Sequence, residues 1–524
     1  MSIDLSLDRI RILLRHLPPF TRPTCHIAGT NGKGSVSALL TSILQASSPP
    51  YRVGRYNSPH LISIHDCITI DNEPISNATY IDARNRVEAT NTQHKIGASN
   101  FELLTSVAFL IFEEAKVDIA IIEVGMGGRL DATNVIADEC ILASALTAVD
   151  LDHQAFLGGT VSDITREKVA IARKGKPFIL GPQKYPEVVT VAQEITTNLN
   201  ADLIHSTVPA ARRFRDPDTD RNDGKLQSTL SLLPSSFTQP PSQPLEVTVP
   251  CFPEPLQMRL PLQGEHQIAN LGTALSIISA LLTHSSCAQW DPILHMHERI
   301  SVSSVCRGIE NTTWPGRLSF HKFPILIPSQ SPPSSPHKQE LIVLVDGAHN
   351  PASSSTLSKY ISNLFGSIFG ASKRSISQDP APISRTRRIT LTYILSLSHS
   401  PPKTPLQTLS PLLPPKDIAV PNGAILNINV ALVPFTPPDG MPWVKSVPPA
   451  DLKKVITTLI PNARIYCPSD DGPADGSSQL ENALKWAGES QISGDGQIGE
   501  GLIVIAGSLY LVADFYRLLA RRVM

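Results

Sequence analysis

Lys33 stands in the run Gly29-Thr30-Asn31-Gly32-Lys33-Gly34-Ser35, between apolar Cys25-His26-Ile27-Ala28 and a helix-like stretch from Val36 to Leu44. Strand, glycine-rich turn and helix in that order make a phosphate cradle. Glycines let backbone N–H groups turn toward an anion, the helix adds the positive end of its dipole, and a lysine supplies a point charge. The common template puts four residues between the first glycine and the Gly-Lys pair; here only Thr30 and Asn31 intervene. By itself the run reads equally as a glycine-rich surface turn beside a helix cap.

Other chemistry-bearing residues sit after apolar runs. Glu123 closes Val117 to Val124 and precedes a second glycine-rich stretch, Gly125 to Asn134. A carboxylate at a strand end beside a phosphate loop is a natural Mg²⁺ ligand, though a lone one more often caps a turn. His153 follows Ile141 to Val149 in Asp150-Leu151-Asp152-His153, with Lys168 fifteen residues beyond. Taken singly, these are a surface imidazole and a solvated ammonium. Asp346 and His349, in Asp346-Gly347-Ala348-His349-Asn350-Pro351, follow Leu341 to Val345. Arg317 and Asn270 carry no signal by type alone.

The elements that must position these groups alternate between strand and helix. Apolar residues at 5, 7, 10, 13, 14 and 17 predict a helix capped by Asp4. Phe101 to Ala115 reads as a helix. Cys67 to Ile70, Val117 to Val124, Ile141 to Val149 and Pro177 to Leu180 read as strands, the first ending in an Asp71-Asn72 turn. A doubly wound parallel α/β sheet follows from this alternation. Residues 206–250 turn Ser/Pro/Gln-rich and read as an insertion, partly disordered. A long Ala/Leu-rich helix follows Gly264 to Asn270. A second α/β unit begins near Trp314, with strands at Leu341 to Val345, Ile389 to Leu395, Ala424 to Val433 and Leu502 to Ala506, and a last helix from Leu509 to Leu519. Pro/Ser-rich patches at 327–337, 373–386 and 398–415 read as expanded surface loops. The expected domains are 1–312, containing the insertion, and 313–524.

Composition narrows the class. The chain has 524 residues, 41% of them hydrophobic and 17% charged, with a net charge of −1. Large buried cores are available, and a general nucleic-acid or membrane surface is disfavoured for want of excess Lys and Arg. Seven scattered cysteines without a CxxC read as reduced thiols. The N-terminus lacks the pattern of a secretory signal, and no apolar run is long enough to span a membrane. A cytoplasmic protein is expected, with a mitochondrial pool left open.

Taken together, the motifs resemble the folylpolyglutamate synthase/dihydrofolate synthase family of the Mur-ligase superfamily. The matching stretches, in the family's order, are HIAGTNGKGS (26–35), SPHL (58–61), EVGMGGRLDATN (123–134), ALTAVDLDH (145–153), REKVAI (166–171), GEHQIANLGTA (264–274), WPGRL (314–318), DGAHNP (346–351) and IVIAGSLYLV (503–512). The family's loop has the short spacing seen here. The resemblance implies an N-terminal P-loop ATPase domain, a smaller Rossmann-like C-terminal domain and an active site in the cleft between them. It implies a reaction in which ATP phosphorylates a pterin-linked carboxylate and the amine of L-glutamate displaces the phosphate.

Carried over by position, Thr30, Asn31, Gly32, Lys33, Gly34 and Ser35 would hold the ATP phosphates, with Asn270, Arg317, Asp346 and His349 as further ATP contacts. The family pattern places Mg²⁺ on Ser58, Glu123 and His153, where the general loop template would have chosen Ser35. Lys33, Glu123, His153 and Lys168 would be catalytic, Lys168 matching a lysine that is carbamylated, and a monovalent cation such as K⁺ is a further expectation. Ser2, Ile3, Asp4 and Leu5 resemble a dihydropteroate-binding segment, while Phe101, Glu102, Leu130, Asp131 and Ala132 match other pterin positions.

The loop reads GTNGKGS rather than GTKGKGS, and after SPHL an Arg-Glu-Arg-rich run is missing. Both departures favour dihydrofolate synthase, most like a fungal one, over folylpolyglutamate synthase or a bifunctional enzyme. The family suggests a monomer acting on small molecules. Competing readings are a catalytically silent nucleotide-binding scaffold, motivated by the long loops, and a muramyl-peptide ligase, disfavoured by the SPHL and DGAHNP contexts.

Overall fold

The computed structural model describes residues 6–211, 230–327, 337–369, 387–468, 476–492 and 498–523. They fall into two units, one of residues 6–211 and 242–314, the other of residues 230–241 and 315–523.

The first unit is built on eight strands: β1 (Thr24–Ala28), β2 (Val53–Tyr56), β3 (Ile68–Ile70), β4 (Glu73–Pro74), β5 (Ile119–Glu123), β6 (Ile141–Leu146), β7 (Pro177–Leu180) and β8 (Asp202–His205). Their spatial order is β4-β3-β2-β5-β1-β6-β7-β8. From β2 to β8 the neighbours run parallel, and β3 and β4 add an antiparallel edge. Asp71 and Asn72 turn β3 into β4 with φ of 57° and 66°, the backbone that a tight two-residue hairpin turn needs. The chain steps from β1 out to β2, back to β5, then across to β6. That reversal lies at the carboxyl ends of β1, β5 and β6, where open α/β sheets bind ligands.

The helix after β1 spans Lys33–Gln45, longer at its start than the expected Val36 to Leu44. Lys33, Gly34 and Ser35 therefore form its first turn, where N–H groups lack intrahelical acceptors. It is apolar nearly all round because it is covered on several sides. Val36, Leu39, Leu40 and Ile43 share one core with Ile121 of β5, with Leu271 and Leu275 of the Glu265–Thr283 helix, and with Val305 and Ile309 of the Val302–Glu310 helix. The helix at the start of the described chain is Asp8–Arg15, with Leu7 at its N-cap and no side-chain cap bond. Asp4, the expected cap, lies outside the described residues, as do Ser2, Ile3 and Leu5.

Of the 206–250 stretch, residues 212–229 lie outside the described residues, and the rest is divided between the two units. β9 (Ala210–Ala211), β10 (Gln243–Val247) and β11 (Leu256–Leu260) form a small antiparallel sheet in the first unit. Residues 230–241 instead join the second unit, where Leu232 is buried and accepts a bond from Gly501 N at 3.2 Å.

The second unit has a six-stranded sheet of β12 (Ser319–Ile327), β13 (His337–Val345), β14 (Arg388–Leu395), β15 (Ile425–Leu432), β16 (Arg464–Tyr466) and β17 (Glu500–Ala506), in the order β12-β13-β17-β14-β15-β16. All neighbours are parallel except the β12–β13 edge pair. The Leu509–Val523 helix runs beyond its expected end. The 398–415 patch, expected as a surface loop, contains a Pro405–Leu409 helix with a Thr404/Gln407 capping box. Leu409, Leu412 and Leu413 enter the core, so hydrophobic spacing outweighs the prolines. The 373–386 patch and most of 327–337 lie outside the described residues.

Among the described residues, no helix is long and apolar enough to cross a membrane. None of the seven cysteines is joined in a disulfide.

Gly308 touches the phosphate-loop helix more closely than any side chain allows: a Cβ there would stand 2.5 Å from Ile43 Cα and 2.8 Å from Ser42 O. Alanine in a helix ordinarily gains about 1 kcal/mol over glycine, but overpacking costs about 1–3 kcal/mol. Gly308→Ala should therefore lower the thermal midpoint, as calorimetry would show; a raised midpoint would mean the two helices part freely.

Candidate active site

The loop after β1 is fixed from below by the residues that follow β6. Ala148 O accepts Thr30 N at 2.9 Å and Asn31 N at 3.2 Å, and Thr147 Oγ1 donates to Asn31 O at 2.8 Å. Thr30 Oγ1 donates to Asp150 O and accepts from Asp150 N, both at 3.1 Å. These bonds explain why β6 stops at Leu146 instead of running to Val149. Gly32 has a φ of 96°, and a Cβ there would collide with Asn270 Oδ1. Asn270, buried on the Glu265–Thr283 helix, thus lies against the loop it was expected to assist. Gly34 admits Trp314, whose ring would stand 2.6 Å from an added Cβ. Ser35 is buried within the helix.

Charged groups gather at the mouth of this cradle. Lys33 Nζ lies 3.1 Å from Gly29 O and 3.6 Å from Glu123 Oε1. Glu123 ends β5, is 6% exposed, and accepts Asn57 Nδ2 at 2.6 Å. Lys168 sits on the Val161–Val169 helix, is 4% exposed, and donates to the same Gly29 O at 3.0 Å. Its amine is pushed down to about 7, first by burial and then by the charge of Lys33, with Asp152 and Asp131 opposing. The structure therefore brings Lys33, Glu123 and Lys168 together.

Ser58 is half-buried and directly follows Asn57, the residue that holds Glu123. His153 is exposed in the left-handed region, with φ of 51°, and its N–H donates to Asp152 Oδ1 at 2.9 Å. Ser58 and Glu123 carry the hard oxygen donors that Mg²⁺ prefers, whereas the His153 imidazole is a softer donor; among the described residues no group of three His, Cys, Asp or Glu side chains is close enough to hold a metal.

The 125–134 stretch is organised by Asp131. Its carboxylate accepts Met126 N at 2.9 Å, Thr133 N at 3.0 Å and Thr133 Oγ1 at 2.5 Å. Burial raises its pKa and these bonds oppose the shift. Thr133 Oγ1 also meets His26 Nε2 at 2.8 Å. Burial pushes His26 down to about 3, so the ring is neutral. The hydroxyl's one proton goes to Asp131, so His26 donates from Nε2. Leu130 lines a small hollow with Met126, Arg129, Phe156 and Leu157. Ala132 packs under Leu7 and Ile10, and Phe101 faces Gly125 and stacks on Tyr56 with centroids 6.3 Å apart. Glu102 has a structural post: it closes a capping box with Ser99 and pairs with Arg9 at 3.1 Å.

In the second unit, Arg317, Asp346 and His349 form a cluster of their own just past β13. Asp346 accepts Leu318 N at 3.0 Å and Ala348 N at 2.9 Å. Burial raises its pKa against the pull of Arg317. A Cβ on Gly347 would stand 2.7 Å from Arg317 Nη1. His349 Nδ1 meets Gly347 O at 2.8 Å. Sequence reasoning missed Asn57, Thr147, Arg55 and Trp314. A charge inside the buried Val53–Tyr56 strand was the one available signal, and it pointed to Arg55.

Known proteins are similar to this chain along nearly its whole length. The family described as dihydrofolate synthetase, C-terminal domain, matches residues 382–518. The dihydrofolate synthetase of Saccharomyces cerevisiae is 31% identical over 523 residues, 99% of this chain and 98% of that protein. A probable dihydrofolate synthetase of Schizosaccharomyces pombe is 28% identical over 522 residues, covering 99% of each. The structure of Mycobacterium tuberculosis folylpolyglutamate synthase complexed with ADP superposes over 99% of this chain and 95% of its own, with 26% identity and a TM-score of 0.69. On this evidence the chain belongs to the dihydrofolate synthase/folylpolyglutamate synthase family of ATP-dependent ligases.

Proposed function

We propose that this protein is a dihydrofolate synthase, which uses ATP to join L-glutamate to 7,8-dihydropteroate and releases dihydrofolate, ADP and phosphate. The observation that carries the reading is the meeting of Lys33 and Glu123, 3.6 Å apart, at the mouth of a loop whose N–H groups open a helix. The full-length similarity to two proteins named dihydrofolate synthetase supports the choice within the family, as do the GTNGKGS loop and the missing Arg-Glu-Arg run.

A carboxylate is a poor electrophile. Transfer of the terminal phosphoryl of ATP to the dihydropteroate carboxylate makes an acyl phosphate with a good leaving group. The glutamate amine then attacks the acyl carbon, the C–O bond to phosphate breaks and the nitrogen gives up a proton. In this reading the Gly29–Ser35 backbone holds the phosphates and Lys33 offsets the charge that gathers on them. Ser58, Glu123 and His153 would hold Mg²⁺, which lowers the repulsion between the two anions that must meet. A monovalent cation such as K⁺ remains part of the proposal. Phe101 and the 130–132 backbone would receive the pterin, since the Asp131 and Glu102 carboxylates are engaged in holding the loop and the helix start. Arg317, Asp346 and His349 are proposed as further nucleotide contacts. The working form is proposed to be a cytoplasmic monomer.

Lys168 is proposed to be carbamylated. With its pKa near 7 a share of the amine is neutral at physiological pH. The lone pair can bond to CO₂ with loss of one proton, turning a cation into an anion.

A substrate panel tests the assignment. ADP release should require dihydropteroate and L-glutamate together. Release with glutamylated tetrahydrofolates alone would move the protein to folylpolyglutamate synthase, and release with both would make it bifunctional. ATP binding without turnover on any of them would leave a scaffold. Glu123→Gln keeps an acceptor for Asn57 but loses the charge; turnover should fall about 10³-fold with the far-ultraviolet dichroism unchanged, and near-normal activity would remove Glu123 from the site.

The depressed pKa of Lys168 has a stability signature. The unfolded chain binds this proton up to about pH 10.5, the folded chain only below about 7. Wild-type stability should therefore rise with pH between those values, and the lysine costs most below 7. In CO₂-free buffer, Lys168→Met should gain most over wild type below pH 7, with the gain fading toward 10.5 in urea titrations. A difference independent of pH would show that the amine is not desolvated.

A further inference from the structure

Arg55 is the one charge inside β2, a strand whose four residues are all buried, and it is 7% exposed. Register places it beside Ile121 of β5, and Asn57, two residues on, binds Glu123, two residues beyond Ile121. Side chains alternate along strands, so Arg55, Asn57 and Glu123 point to one face of the sheet. That face lies under the phosphate-loop helix, since Val53, Ile119 and Ile121 share a core with Val36 and Leu40.

The guanidinium is poorly provided for there. Among the described residues its Nε is buried without a hydrogen-bond partner, and so is Oγ1 of Thr69, its opposite number on β3. Burial lowers its pKa to about 10, with Glu123 pulling the other way, so it stays charged near neutrality. Glu123 is already engaged by Lys33 at 3.6 Å and Asn57 at 2.6 Å. One carboxylate thus stands between two cations. Among the described residues, Glu123 is the acid whose charge acts on the guanidinium. The ring of Trp314 lies 5.1 Å from the guanidinium carbon and packs on Gly34, inside the phosphate cradle. A buried charge with an empty donor is costly unless a ligand completes it.

We infer that Arg55 is a ligand-binding residue of the reaction, holding an oxyanion of the reacting pair: the transferred phosphoryl or the carboxylate that receives it. The inference rests on the ATP-dependent ligase reading above. Arginine suits the task because its planar fork presents paired donors to such oxygens. The Trp314 indole packs against that plane, 5.1 Å from the guanidinium carbon.

Arg55→Met tests this by thermal shift on the full chain with Mg²⁺, using ADP, the non-hydrolysable analogue AMPPNP, and dihydropteroate added to ADP. The apo midpoint of the variant should equal or exceed that of wild type, because a desolvated cation that shares Glu123 with Lys33 and leaves its Nε unbonded has gone. The ADP shift should persist. Either the extra shift of AMPPNP over ADP or the extra shift from dihydropteroate should fall by at least half, and whichever falls identifies the phosphoryl or the carboxylate as the occupant. Steady-state KM for that substrate should rise about tenfold. A lower apo midpoint with both increments intact would overturn the inference and leave Arg55 as packing. So would an ADP shift that falls in proportion with the others. If the Met variant does not fold, Arg55→Lys decides: a reduced increment with the ADP shift kept supports the inference, and unchanged increments overturn it. A wild-type chain that no nucleotide stabilises would overturn the ligase reading itself, and this inference with it.

Discussion

Two lysine ammonium groups converge on one carbonyl oxygen. Lys33 and Lys168 reach Gly29 O at 3.1 and 3.0 Å from different helices. Two full positive charges so close in a dry setting repel strongly. The arrangement holds because the buried lysine yields: its pKa falls to about 7, partly under the field of the other. Lys33 meanwhile lies 3.6 Å from Glu123 at the mouth of the loop. The loop's shape, the strand-end carboxylate and the ionisation of Lys168 are therefore one coupled constraint, and a change at any of them is felt by the others.

That constraint explains features that otherwise look incidental. β6 ends early because Thr147 and Ala148 are needed to pin the loop. Asn270 fills the space that Gly32 leaves. Neutral His26 reaches through Thr133 to Asp131 and so ties β1 to the second glycine-rich stretch. The loop and His26 thus find hydrogen-bond partners just past neighbouring strand ends, as buried polar groups require.

Much of this was legible in the chain. Strand-ending Glu123 and the loop lysine announced themselves by position, and the strands at 177–180 and 389–395 emerged close to their predicted bounds. What escaped was of two physical kinds. Asn57 and Thr147 matter through tertiary hydrogen bonds, which no local pattern encodes. The Pro405–Leu409 helix was hidden by proline content, although its cap and leucine spacing were present. Glu102 and Asp131 carry a structural use that their motif did not announce: their oxygens make capping and turn bonds.

The chain visits the second unit twice. Residues 230–241 lay Leu232 and Phe237 against the sheet that residues 315–523 complete, with the Phe237 and Phe320 rings 5.7 Å apart, before the path returns to the first unit. Neither half is thus a contiguous stretch of gene. A cut near residue 314 would strand part of one core on the wrong side, and residues 315–523 alone would lack the Leu232 and Phe237 side chains that pack on their sheet.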